Sequence, residues 1–158
     1  MDETGASWSQ IESLYRAQFG QFERVARAIT GDRESALEAV QEGFADALRH
    51  SGDWSGRGPL EGWVWRCVVN RARKARRRPA FELPAGENGA DGGHDDSELV
   101  ARLAALPERQ RLVVFLRYFA DLEYREIATA LGIETGTVSA TLHAAHASLR
   151  AGYKEATA

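Results

Sequence analysis

The stretch Tyr124-Arg-Glu-Ile-Ala-Thr-Ala-Leu-Gly-Ile-Glu-Thr-Gly-Thr-Val-Ser-Ala-Thr-Leu-His143 sets the architecture of the chain's last third. Ile127, Ala128 and Leu131 precede Gly132, and Ile133, Val138 and Leu142 follow it. That spacing is the three- and four-residue period of amphipathic helices. Gly132 can take the positive φ a sharp turn needs, and small Ala128 lets two helices approach closely. The stretch reads as a helix over Tyr124–Leu131, a turn at Gly132-Ile133-Glu134, and a longer helix from about Thr135. This is a helix-turn-helix. A plain helical hairpin shares the period, but glycine turn, small contact residue and register together favour the DNA-binding motif.

Working outward, Leu99, Leu103 and Leu106 form one stripe, broken at Pro107, and Leu112, Val113, Leu116 and Phe119 form the next. The last helix continues through Ala145 and Leu149, so residues 99–158 hold four helices. Residues 1–78 show three further stripes. These are Ile11, Leu14, Tyr15, Phe22, Val25, Ile29; then Ala36, Val40, Phe44, Ala47, Leu48; then Leu60, Trp63, Val64, Cys67, Val68. Between the two modules, residues 79–98 are Gly- and Pro-rich and carry six acidic and no basic side chains. They read as a linker. Alanine and leucine number 40 against 13 for valine and isoleucine, which favours helix over sheet. The expected fold is all-α: two small helical modules, 1–78 and 99–158, joined by an acidic flexible linker over 79–98.

The formal net charge of −3 hides a concentration of positive charge. From Arg66 to Arg78, seven of thirteen residues are basic (Arg66, Arg71, Arg73, Lys74, Arg76, Arg77, Arg78) and none is acidic. The same helix carries Trp63, Trp65 and Asn70. Phosphate attraction, aromatic faces and an amide able to read a base edge are what nucleic-acid binding uses. A basic helix end also complements the macrodipole, and one of the two tryptophans can serve the core. Nucleic-acid contact is favoured over a merely solvated face.

Other chemistries find no support. His143 and His146 lie one helical turn apart without a third metal ligand nearby, so no metal is expected. Cys67 is the only cysteine and falls on an apolar stripe, which predicts an inert buried thiol. Gly86–Gly93 lacks the ending of a phosphate-binding loop, and no nucleophile with its partners can be assembled. Neither a cofactor nor an enzymatic activity is expected. The acidic start Met1-Asp2-Glu3-Thr4 does not resemble a signal peptide, and no long apolar run occurs, so a cytoplasmic protein without membrane association is predicted.

Three segments together resemble the extracytoplasmic-function (group IV) sigma factors of bacterial RNA polymerase. The first runs from Leu14-Tyr15-Arg16 through Gly31-Asp32-Arg33 to Glu38-Ala39-Val40-Gln41-Glu42-Gly43-Phe44. The second runs from Gly58-Pro59-Leu60-Glu61-Gly62-Trp63-Val64-Trp65-Arg66 to Asn70-Arg71-Ala72-Arg73. The third joins Leu106-Pro107-Glu108-Arg109-Gln110-Arg111 to Tyr124-Arg125-Glu126-Ile127-Ala128, Gly136-Thr137-Val138 and Leu142-His143.

The resemblance implies that residues 1–78 are a region 2-like module and 99–158 a region 4-like one. It places Glu38, Val40, Gln41, Glu42 and Phe44 against the β′ clamp of core polymerase. It places Trp63, Asn70, Arg71, Arg73, Lys74, Arg76 and Arg77 on the minus-ten element, with Asn70 at a pocket for a flipped base. It assigns the carboxy-terminal module to the β flap and, through Thr135, Thr137, Ser139, Thr141 and His143, to the minus-thirty-five element. The acidic linker either imitates nascent RNA or is a solvated tether. Family members are commonly held inactive by an anti-sigma protein, which implies such a partner.

The sequence departs from the family in its recognition helix. Between Thr135 and Arg150 only Arg150 carries a formal charge, and each lost phosphate contact lowers affinity and its salt dependence. Two alternatives therefore stay open. One is a sigma-derived interaction protein with weakened or lost upstream recognition, and the other is a stand-alone helix-turn-helix regulator.

Overall fold

The computed structural model describes residues 5–76 and 96–157. Among them are seven α-helices, one short 3-10 turn at Ser51–Asp53 and no strand, as expected of an all-α chain. Helix α1 spans Trp8–Thr30, α2 Arg33–Arg49 and α3 Leu60–Ala75; α4 spans Asp96–Ala105, α5 Glu108–Tyr118, α6 Tyr124–Leu131 and α7 Thr135–Thr157.

Local chemistry sets the boundaries. Ser7 and Gln10 form a reciprocal capping box at the start of α1, which satisfies two of its otherwise orphaned amides. Gly31 ends that helix at φ 87°, and Asp32 caps α2 by accepting from the Ser35 amide at 2.7 Å. Gly132 closes α6 at φ 66°, the left-handed conformation its place in the turn demanded. The helix-turn-helix has the bounds read from the sequence.

In the first module α1, α2 and α3 pack around Phe22, Val40, Phe44, Val64, Trp65 and Val68, all buried. The Phe22 and Trp65 rings stack at 3.9 Å, and Phe44 meets Phe22 and Tyr15 edge-on. Gly43 makes the α2–α3 approach possible, since a Cβ there would lie 2.7 Å from the Val68 backbone. In the second module Leu112, Val113, Phe115, Leu116, Leu122, Ile127, Val138 and Leu142 fill the space between α5, α6 and α7.

The two modules are packed together, with one continuous core. Helix α3 lies on α6, and α1 touches α5. Gly62 is the contact point: a Cβ there would stand 2.7 Å from the Glu126 carbonyl and 2.9 Å from Thr129 Cβ.

Some expectations require correction. On α3 it is Trp65 that is fully buried, while Trp63 and Cys67 are half-buried, because α3 is flanked by α1, α2 and α6 and its buried arc is wider than one stripe. Leu99 is exposed, at 47%. Helix α4 starts at Asp96, so the end of the segment read as a linker is helical. Residues 77–95, including Arg77 and the rest of the acidic segment, lie outside the described residues.

Candidate nucleic-acid interface

The burial of Val64, Trp65, Val68, Val69 and Ala72 turns the opposite side of α3 outward, and Arg66, Asn70, Arg73, Lys74 and Arg76 are exposed there. Asn70, Arg73, Lys74 and Arg76 line an open groove of about 390 Å³, and its fifth lining residue is Glu108, from the first turn of α5. Arg73 Nε donates to the Glu108 carboxylate at 2.8 Å, and Arg76 Nη1 is 3.7 Å from its other oxygen. The second module thus supplies an anion to the basic end of α3.

Arg71 is placed differently. Its guanidinium forks onto Asp46 of α2, Nε at 2.5 Å and Nη2 at 2.9 Å, with Glu42 at 3.3 Å. The Arg71 hydrogen bond, despite partial burial, holds the Asp46 carboxyl down at about 2, and Asp46 in turn raises Arg71. Such a bidentate pair ties α2 to α3. Arg71 was expected on DNA; here its donors are engaged by carboxylates, and it holds the module together.

On α2 the residues expected to meet the polymerase divide into two sets. Glu38, Gln41 and Glu42 are exposed on one side. Val40 is fully buried, and Phe44 is 5% exposed at the floor of an apolar groove between α1 and α2. Val40 is therefore core, since the helical period that exposes its neighbours turns it toward α1 and α3.

Along α7, Thr135, Ser139 and His143 are exposed, Thr137 and Thr141 are half-buried, and Val138, Leu142 and Ala145 face the core. His146 accepts or donates to the Tyr118 hydroxyl at 2.8 Å and stacks on its ring. It belongs to the α5–α7 contact. Among the described residues no cluster of three or more potential metal ligands occurs.

Three carboxylates at the module boundary were not singled out from the sequence: Glu61, Glu108 and Glu126. Glu61 of α3 is half-buried and its carboxyl is pushed up to about 7, first by burial and then by the neighbouring Glu126 of α6. All three lie in segments that carry the family resemblance, but their neighbours are set only where α3 meets α5 and α6. Cys67 is pushed up to about 11 by burial, so its thiol stays protonated and unreactive at neutral pH.

Residues 14–81 match the sigma-70 region 2 family and residues 96–149 match the sigma-70 region 4 family. The RNA polymerase sigma-E factor of Streptomyces avermitilis is 32% identical over 152 residues, covering 89% of this chain and 83% of that protein. The chain belongs to the extracytoplasmic-function sigma factors. The sigma factor SigV of Bacillus subtilis is 28% identical, covering 78% of this chain and 79% of its own. The fold is also that of CnrH, solved in complex with the cytosolic domain of CnrY, with a TM-score of 0.70 at 20% identity over 95% of this chain and 91% of that one. This sigma factor is accordingly a promoter-recognition subunit of RNA polymerase. Sigma factors regulate transcription and are not catalysts. No described helix is long and apolar enough to cross a membrane.

Proposed function

We propose that the exposed end of α3 captures the minus-ten element as a single strand, and that Asn70 reads a base turned out of the stack. The observation that carries this is the placement of exposed Asn70 in a groove edged by Arg73, Lys74 and Arg76. An amide hydrogen-bonds a base edge while the cations hold adjoining phosphates. Half-buried Trp63 offers an aromatic edge two turns earlier along α3. Core polymerase is gripped through Glu38, Gln41 and Glu42 on α2, where the two carboxylates of Glu38 and Glu42 suit basic partners on the β′ clamp. Phe44 contributes from the floor of the adjoining groove. This work takes place in the cytoplasm, where the polymerase acts.

The second module approaches the β flap and presents Thr135, Thr137, Ser139, Thr141 and His143 to the upstream element. A second reading, in which α7 grips a protein, is favoured by one observation: its outward face up to Arg150 has no formal charge. CnrH in its complex with CnrY supports the further reading that an anti-sigma protein binds this chain.

The test is transcription in vitro with core polymerase on genomic fragments. The expected result is that Asn70→Ala abolishes protein-dependent transcripts while polymerase binding persists. Transcripts undiminished by Asn70→Ala would remove the reading of α3.

A further inference from the structure

Glu61 and Glu126 stand in the first turns of α3 and α6, where a carboxylate ordinarily lies in water and complements the helix dipole. Here the two helix starts meet. Beside Glu61, a Cβ on Gly62 would lie 2.7 Å from the Glu126 carbonyl and 3.1 Å from its Cα, and both glutamates are half-buried. The groups that act on Glu61 are Glu126 from α6, Gln18 from α1 and Trp65 from α3 itself, and none of them is cationic. Gln18 sits at a break in α1, with φ −126° and ψ 15°, and its Oε1 is buried without a hydrogen-bond partner. A protonated Glu61 carries an O–H donor of the kind this oxygen lacks. Two carboxylates confined to a partly dry boundary without a counter-ion are held at lowest energy with one proton between them.

We infer that Glu61 and Glu126 hold one proton between them while α3 rests on α6, and that loss of this proton loosens the boundary, so that the association of the two modules responds to pH with no partner involved. The bond that breaks is the carboxyl O–H: the proton passes to water, and the pair goes from one negative charge to two. Glu126 Oε1 accepts from the Glu123 amide at 3.1 Å in the capping box of α6, which leaves Glu61 to carry the proton. In keeping with this, the Glu61 carboxyl is pushed up to about 7, by burial first and by Glu126 next. Parting the modules removes both causes and returns Glu61 toward its ordinary 4.5. Because the packed form has the raised value, this contribution to packing is complete below about 4.5 and is lost as pH rises through about 7.

The test uses the full-length chain with carbon-13-labelled glutamate carboxyls, titrated by NMR, and small-angle X-ray scattering at pH 5 and pH 8. The resonance that disappears in Glu61→Gln identifies Glu61. Its midpoint in the wild type is expected well above the ordinary value, and lower in Glu126→Gln, where glutamine keeps the capping bond and removes the charge. By scattering, the ratio of packed to extended chains should fall roughly tenfold from pH 5 to pH 8, less than the full shift would give because Glu61 keeps contact with water. Glu61→Gln should stay packed at both values, and Glu12→Gln, which removes an exposed charge from α1, should respond as the wild type does. A Glu61 midpoint at the ordinary value would overturn the inference, as would a wild-type ratio that is constant with pH or a pH response that survives in Glu61→Gln. The wild-type midpoint needs no variant to fold, and circular dichroism confirms the helices of each variant.

Discussion

Gly62→Ala is expected to part the two modules while leaving each of them folded. Gly62 lies within α3, where alanine is favoured over glycine by about 1 kcal/mol, so the helix itself should gain. Across the boundary, however, the new methyl would sit 2.7 Å from the Glu126 carbonyl and 2.9 Å from Thr129 Cβ, against 3.4 Å for ordinary contact. The obstructing atoms are α6 backbone and a Cβ, neither of which can swing aside, so α3 and α6 must separate by about 0.7 Å, the difference between 2.7 and 3.4 Å. Overpacking of this kind costs about 1–3 kcal/mol, which shifts the packed-to-parted equilibrium roughly 5- to 150-fold. Dyes at Ser9→Cys on α1 and Ser148→Cys on α7, in a Cys67→Ser background, would report module separation by energy transfer. The expected result is a larger long-distance population in Gly62→Ala with an unchanged far-ultraviolet spectrum. An unchanged distance distribution would refute the claim that the absence of a side chain at position 62 is what permits docking.

Two further outcomes follow from the same boundary and from the first core. Glu61 titrates near 7 in the packed form against an ordinary 4.5, and Glu126 is the titratable group acting on it, beside Gln18 of α1 and Trp65 of its own helix. With the packed-state value raised, ionisation opposes packing: the penalty is absent below about 4.5, grows between about 4.5 and 7, and is complete above 7. The energy-transfer signal should therefore show tighter packing at pH 5 than at pH 8, and Glu61→Gln should flatten that dependence; a wild-type signal constant across this range would contradict it. Trp65→Ala removes a fully buried ring stacked on Phe22 and should destabilise the protein by about 3–5 kcal/mol in urea unfolding, whereas Trp63→Ala should cost far less because Trp63 is only half-buried.

Much of the architecture was legible because helices are local objects. The period of Ile127, Leu131, Val138 and Leu142, the turn glycine at 132 and the break at Pro107 each act within a few residues, and the helices they imply are present with those bounds. The candidate site was legible in part. The basic run beyond Arg66 declared itself by composition, and Asn70, Arg73, Lys74 and Arg76 do share one groove. What sequence alone could not supply was the partner of each charge. Arg71 and Arg73 are two residues apart, which on a helix turns them to different faces: one meets Asp46 and Glu42 of α2, the other Glu108 of α5. Likewise the family resemblance sets Val40 beside Gln41 and Glu42 on the polymerase, while its place on the apolar stripe with Ala36 and Phe44 puts it in the core, where it is buried.

The helices, the two sigma regions and the positive charge at the end of α3 follow from the order of residues alone, because propensity, period and composition are properties of short segments. Only the tertiary structure decided that the modules pack against each other, that Gly62 admits α6, and that Glu61 and Glu126 share a half-buried boundary. It alone also brings Glu108 to Arg73 and Arg76. Those contacts join residues more than 30 positions apart, and at that separation geometry in space, rather than order along the chain, determines which charge meets which.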